Sequence, residues 1–533
     1  MRRLLVTFAD RPALPEAQRR LAGLGDVRPA ALEAGVVSVD AIRPEVARAL
    51  ALRREGVEAA EWALERRDDA EPAGALPVTL VPVADPTDPL YPSQWSLRPD
   101  RLWRPILTGT DLRPRIAILD GGIDVEHPEW AGEPSPLVDP YSTYHDRPEA
   151  DDWGRSGHGT HVAGIAAAPA NGVGVVGVAP ARAGSAEVIP VQIADRDGKS
   201  TDETMIAGIR WAVRHRAKVI NISAGGPGFS RAFQRVVDWA FTNGALIVAS
   251  VGNEGDDSNV LNYPAAYAHV LGVGANCNDE VNPPDCPEPF GLATFTNHNR
   301  SLDVLGPGVG ILSSVPPRVT EGRVETGYAL KDGTSMAAPY LTGVAALVFG
   351  SHPGASPYQV LRQIQNTATD IGVPGRDDDT GYGIVNPEAA VTYPLPADDG
   401  NEANDDVSQV SQQAALHAGG APAATAARVD RLDDAEDVYP VDLRAGQTVR
   451  ATITFKRGFL NLYLWQPGTR TVSTTVRGNV RKNLVAYSGT LGAKRQTVVA
   501  TARRSGRYYL NVFARRGDSP YTLTVATTPT RGL

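Results

Sequence analysis

The chain has 533 residues, 42% hydrophobic and 21% charged, with a formal net charge of −9. That length exceeds one compact core and calls for two or three domains, and the acidic balance argues against nucleic acid as a partner. No apolar run is long enough to span a bilayer.

Residues 1–75 alternate short apolar runs with amphipathic stretches. LLVTF, GVVSVD and EAAEWALE read as strands, and PEAQRRLAGLG and RPEVARALALRREG as helices. The order is βαββαβ with one strand unlocated, a small α+β domain. The opening MRRLLVTF carries basic residues, but its apolar run is too short for a secretory leader. Residues 76–87, rich in Pro and Asp, read as a linker.

Over residues 88–393 apolar strands (PRIAILD, AEVIPVQIA, AKVINIS, ALIVASVG, HVLGVGA) alternate with helical stretches (GTHVAGIAAA, ETMIAGIRWAVRH, SRAFQRVVDWAFTNG, SMAAPYLTGVAALVFG). Alternation of this kind predicts a doubly wound, mainly parallel sheet with helices on both faces. Ligands bind such sheets beyond the carboxyl ends of the strands. Cys277 and Cys286, the two cysteines, lie in a segment rich in Pro, Asn and Asp that reads as a surface loop. A disulfide closing that loop would indicate an oxidising compartment; two unpaired thiols are the alternative, and the spacing suits no common zinc motif.

Residues 394–428 form an acidic joint and the first part of a third region. Over 429–533, EDVYPVDL, QTVRATITF, LNLYLWQPG, RYYLNVFARR and YTLTVAT alternate as strands and predict an antiparallel β-sandwich.

The strand ends carry the chemistry. PRIAILD closes on Asp120, RSGHGTHVAG opens a helix at His158, ALIVASVG runs into Asn253, and GTSMAAP sets Ser335 at another helix start. Alone, Ser335 reads as a helix cap, because serine oxygen readily accepts an orphan backbone N–H. Asp120 and Asn253 alone read as turn formers. An acid, an imidazole, a carboxamide and a hydroxyl thus come from separate crossings at the functional edge of one sheet.

DGGID, GHGTHVAG, VGNEG and GTSMAAP, in this order, resemble the motifs of the subtilisin-like serine proteases over nearly the whole middle region. The resemblance implies a serine endopeptidase working through an acyl-enzyme on protein and peptide substrates, with Asp120, His158 and Ser335 as triad and Asn253 in the oxyanion hole. Asp124, His127 and His161 match scaffold positions. Pro339 is expected within the first helical turn, where its missing N–H costs nothing. Ser223, Ala224 and Gly225 match one wall of the substrate pocket and Ala249, Ser250 and Val251 the other, with Glu254 at the rim and Asn262 near the base. GKSTDETM matches the edge strand that pairs with substrate further upstream. A structural calcium ion is implied on Gln94, Glu129, Asn171 and the carbonyls of Pro169, Val173 and Val175, and no catalytic cofactor.

The first region resembles the inhibitory propeptide of the family, which implies a zymogen cut by Ser335 between about residues 68 and 88. The third region resembles the pre-peptidase C-terminal domains of secreted bacterial proteases. Secretion and a monomer are expected. Two competing readings are a catalytically silent binding protein of this fold and an esterase with the same triad, although G-x-S-x-G does not surround Ser335.

Overall fold

The structure, a computed structural model, describes all residues except 1–2, 10, 41–46, 49–50, 55, 69–85, 98–113, 132–134, 145–149, 153–155, 182–186, 279–284, 318, 321–322, 325–326, 400, 412, 419–420, 431–434, 473–478 and 529–533. Two compact units divide at Asp398/Asp399. Among the described residues no helix is long and apolar enough to cross a membrane.

The first unit is built on a seven-stranded sheet. In spatial order its strands are Val304–Pro307, Val270–Asn276, Leu246–Ser250, Ala217–Ile222, Arg115–Asp120, Glu187–Gln192 and Tyr141–Ser142. All neighbours are parallel. The chain goes from Arg115–Asp120 to one side and then returns to the other, so the winding reverses at the strand that ends on Asp120. That reversal opens the crevice in which such sheets place their sites.

Helices His158–Ala167 and Thr334–Ser351 pack on one face. The second is buried from Thr334 through Phe349, which explains its apolar character all round. Helices Asp202–Arg214 and Arg231–Thr242 cover the other face and are amphipathic, with only one side in the core. Helix Pro357–Thr367 was not anticipated, although Ser356 and Gln359 form a reciprocal capping box before it.

The N-terminal four-stranded sheet runs Asp26–Ala31, Val36–Asp40, Leu4–Phe8, Val57–Trp62, with helix Leu14–Arg20 against it. Asp26–Ala31 is the strand the sequence did not locate. Most of the expected helix over residues 43–56 lies outside the described residues. Leu5, Ala30, Ala31, Ala34 and Val36 share a core with the helices Asp202–Arg214 and Arg231–Thr242.

Cys277 and Cys286 form a disulfide with a Cα–Cα distance of 5.7 Å. Both are buried at the end of a core strand, and residues 287–290 beside Cys286 are exposed. The second unit, Asp399–Leu533, is a β-sandwich of two antiparallel four-stranded sheets. The fold class is therefore that expected, α/β with a small α+β region and a C-terminal β-sandwich.

Candidate active site

Asp120 ends its strand fully buried. His158 is the first residue of its helix, and its Nδ1 lies 2.9 Å from Asp120 Oδ1 and 3.0 Å from Oδ2. The helix approaches this closely because residue 159 is glycine: a Cβ there would sit 2.1 Å from the Gly122 carbonyl. Asp152, which the sequence did not single out, caps the same helix by accepting from Thr160 N (3.0 Å) and Thr160 Oγ1 (2.6 Å). The position has no motif of its own and is recognisable only in three dimensions.

Ser335 is not the cap of its helix. Gly333 holds that position at φ 143°, a conformation costly for any other residue, and Thr334 is the first helical residue. Ser335 is fully buried and donates its hydroxyl to the Ser223 carbonyl at 3.3 Å. Asn253 Oδ1 accepts from Thr334 N and Thr334 Oγ1, both at 2.8 Å. With its oxygen so anchored, the amide nitrogen is turned toward Gly333, within 3.2 Å of where a Cβ would stand.

Pro339 lies beyond the first turn, correcting the sequence expectation. It removes the donor that would have reached the Ser335 carbonyl four residues back. Ser223 Oγ supplies the missing bond, donating to Ser335 O at 2.9 Å. Asn221 Nδ2 in turn donates to Ser223 Oγ at 3.0 Å, and Thr342 Oγ1 donates to Asn221 Oδ1 at 2.9 Å. A buried polar chain thus fixes the turn that carries Ser335.

Of the residues matched to the pocket, Ser223 is bonded to this turn. Ala249, Ser250 and Val251 are buried at a strand end. Asn262 Nδ2 donates to Ser250 O at 3.2 Å, and a Cβ on Gly225 would collide with Asn262 at 2.5 Å. Glu254 is exposed, with its carboxylate on Asn297 Nδ2 at 2.7 Å.

Ala224–Gly225 and Lys199–Thr201 are both strands, and Glu65–Asp68 of the N-terminal region lies between them. It is antiparallel to each, with Asp68 opposite Ala224 and Glu65 opposite Thr201. Asp202 is buried and exchanges bonds with Leu64, accepting from Leu64 N and donating its own N–H to Leu64 O.

The two histidines matched to scaffold positions are bonded to backbone carbonyls. His127 Nε2 meets Gly327 O, and His161 Nε2 meets Ala329 O. Burial holds His161 well below the ordinary histidine range, so it is neutral.

The residues matched to a calcium site lie around residues 169–176. Gln94 is committed to the backbone of Val176, its Oε1 accepting from Val176 N and its Nε2 donating to Val176 O. Asp88 lies against the same loop: it is fully buried, and Oδ1 accepts from Asn171 N and Gly172 N at 3.0 Å, while Asn171 accepts from Val173 N and donates to Glu129 O. Glu129 Oε1 accepts from Val175 N at 2.6 Å. The second oxygens, Asp88 Oδ2 and Glu129 Oε2, are buried without a hydrogen-bond partner. Burial pushes Glu129 up to about 8, with Asp88 adding to it. Two orphaned carboxylate oxygens beside a carbonyl-bearing loop suit a hard cation such as calcium.

The sheet order, with a carboxylate–imidazole pair at its reversal, defines a subtilisin-like α/β fold. The chain belongs to the subtilase family, whose profile matches residues 113–383. Fervidolysin of Fervidobacterium pennivorans is 38% identical over 306 residues, which are 54% of this chain and 42% of that protein. Subtilisin of Bacillus pumilus is 36% identical over 285 residues, 53% of this chain and 92% of that one. The crystal structure of fervidolysin, described as a keratinolytic enzyme related to subtilisin, matches with a TM-score of 0.62 at 22% identity. It covers 98% of this chain and 92% of its own, a likeness of fold along the whole length.

Proposed function

We propose that the chain is a serine endopeptidase that cleaves proteins through an acyl-enzyme and is made as a self-processed zymogen. The observation that carries this is the Asp120–His158 pair at the sheet edge, in a chain that holds Ser335 in a buried helix-start turn.

Ser335 Oγ attacks the scissile carbonyl while His158 Nε2 takes its proton. His158 then returns that proton to the leaving amine. Asp120, bonded to Nδ1, fixes the imidazole tautomer and stabilises the imidazolium. Asn253 Nδ2 and the Ser335 N–H receive the negative charge growing on the carbonyl oxygen, at the positive end of a helix. A fluorophosphonate should label the protein at Ser335 and nowhere in Ser335→Ala; an unlabelled wild-type protein with its first region removed defeats this reading.

Asn253→Leu should lower kcat by about 10²–10³ with KM little changed, because the donor acts on charge that exists only in the transition state. That magnitude comes from subtilisin, a member of the same family. Steady-state kinetics on a peptide anilide measure the split.

The proposed pocket comprises Ser223, Ala224, Gly225, Ala249, Ser250, Val251 and Asn262, a broad slot with Glu254 at the rim. The strand Glu65–Asp68 between the two cleft strands supports residues 1–75 as an inhibitor that occupies the cleft as a substrate would, by β-augmentation. The proposed cut between about residues 68 and 88 falls largely outside the described residues. The disulfide supports export to an oxidising compartment.

A calcium ion on Asp88, Glu129, Asn171 and the carbonyls of Pro169, Val173 and Val175 is proposed to stabilise the first unit. Saturation at about 100 times Kd contributes about 2.7 kcal/mol, or roughly 3–4 °C in the melting temperature of a unit this large. Chelation should lower the first unit's melting temperature by that amount, and Asp88→Asn should abolish most of the difference. An equal chelator effect in Asp88→Asn removes Asp88 from the site.

A further inference from the structure

The formal charge of −9 hides an uneven distribution. From Arg444 to the end of the chain stand 16 Lys and Arg against one acid, Asp518, so the negative balance belongs to the residues before them. Nothing in peptide hydrolysis uses this positive charge. Its placement follows from the strands of the second unit.

Strands Glu436–Leu443 and Phe459–Trp465 end where strands Thr448–Phe455 and Gly506–Arg516 begin, at one end of the sandwich. Four segments close that end: turn 444–447, turn 466–470, helix Asn479–Asn483 and turn 502–505. They are bonded to one another. Gly446 N donates to Ala502 O at 2.8 Å, Ala445 N to Ser505 Oγ at 2.9 Å, Arg504 Nη2 to Pro467 O, and Gln466 Nε2 to Lys482 O at 2.7 Å. Arg444, Arg470, Arg481, Lys482, Arg503 and Arg504 stand on these segments, all exposed. The acids that adjoin them are engaged: Asp442 holds Arg507 with two bonds at 3.0 Å, and Asp406 accepts from Val407 N and Val472 N at 2.8 Å.

Like charges crowded on one surface repel one another, and an anion long enough to touch several of them relieves that repulsion. Five of the six are arginines, whose planar fork meets an oxyanion with two parallel bonds and gives up its hydration more readily than an ammonium does. The segments themselves, RAGQ, QPGTR, NVRKN and ARRS, hold no aromatic ring on which a nucleobase would stack. Beyond Val480 they hold no large apolar side chain to enter a bilayer. A polymer that carries oxyanions at intervals and needs neither stacking nor insertion fits them best. Export, which the disulfide supports, would bring this surface to the polysaccharides outside a cell.

We propose that this end of the second unit binds an acidic polysaccharide, whose carboxylates or sulfates lie across the four segments, and so anchors the protein to the polymer. The surface does not depend on the peptidase reading. The test uses the full chain in a Ser335→Ala background, so that self-digestion cannot intervene. Fluorescein-labelled dextran sulfate and polygalacturonate are titrated beside uncharged dextran, with fluorescence polarisation as the readout. The salt is held at about 50 mM, where ionic contacts to a polyanion are strong.

At least one of the charged polymers should bind, and dextran should not. Arg503→Gln with Arg504→Gln should weaken that binding by about 5–30-fold, the scale for two basic side chains at an anionic surface. Lys456→Gln with Arg457→Gln makes the same change of net charge beyond the opposite end of strand Thr448–Phe455, and should cost about twofold or less, since salt screens distant charges. Circular dichroism checks folding, and if the first variant does not fold, Arg481→Gln with Lys482→Gln decides on the same readout. Equal losses from the two ends overturn the proposal, as does failure of both charged polymers to bind better than dextran. Tighter binding to duplex DNA or to phosphatidylglycerol vesicles than to either polymer overturns it as well.

Discussion

Ser335→Ala should lower turnover of a peptide substrate by about 10⁶, to the residual rate that substrate binding and the oxyanion donors supply. The scale is that of subtilisin, whose serine and histidine act as a unit, and His158→Ala should therefore cost about as much as Ser335→Ala, with the double variant little worse. Non-additivity is the informative part: two independent contributions would multiply, whereas one proton relay can be broken only once. Ser335 is also a packing residue, buried and bonded to Ser223 O. Alanine retains the helix, since Gly333 and not Ser335 is its cap. Loss of activity should thus come without loss of melting temperature. The same variant should migrate as the uncut chain on a gel, because self-processing needs the same hydroxyl. A Ser335→Ala protein that still sheds its N-terminal region unaided would separate processing from this site.

The chemical residues were legible in the sequence because each follows a strand or opens a helix, and four such ends in one order leave few other arrangements. Asp120 and His158 prove to be in direct contact. What supports them was less legible. Asp152 caps the His158 helix from a loop with no pattern of its own. Ser223 was matched to the pocket wall, yet its hydroxyl also replaces the helical bond that Pro339 removes, a link between positions 112 residues apart. Asp88 carries no motif that marks it in the sequence, and only the structure shows it as a buried acid with an unmet oxygen. Strand Asp26–Ala31 escaped because it carries Pro29 and alternates weakly, signals that ordinarily argue against a strand. Strands Leu484–Ser488 and Arg495–Thr501 were missed for a related reason: much of each faces solvent, so their apolar pattern is faint.

Glu58→Ala should weaken the hold of the N-terminal region on the rest of the first unit by about 10²–10⁴, the equivalent of the 3–5 kcal/mol lost when one partner of a buried ion pair is removed. Glu58 and Arg235 are paired at 2.6 Å with both side chains only 7% exposed, and Arg235 also donates to Phe8 O at 2.9 Å. Removing the carboxylate leaves Arg235 buried beside Arg11, a like charge. Neighbouring contacts are of a cheaper kind. Glu61 accepts from Arg231 N at 2.8 Å and Ala232 N at 3.2 Å at the start of a helix, and Glu33 holds Arg210 with two bonds at a partly buried site. Glu61→Ala should accordingly cost about 0.5–2 kcal/mol, as loss of a helix cap does. The readout is the concentration at which the processed but undissociated protein, on dilution, regains half its activity. Glu58→Ala should regain it at about 10²–10⁴ times higher concentration than wild type. Glu58→Leu with Arg235→Met removes the unpaired charge as well as its partner, and apolar replacements of a buried pair are often neutral. That double variant should recover most of the lost affinity. If it is as weak as Glu58→Ala, the pair contributes specific attraction and not merely the avoidance of a stranded charge; if Glu58→Ala itself behaves as wild type, the N-terminal sheet is held by its apolar face, through Leu5, Ala31 and Val36, and the charges are incidental.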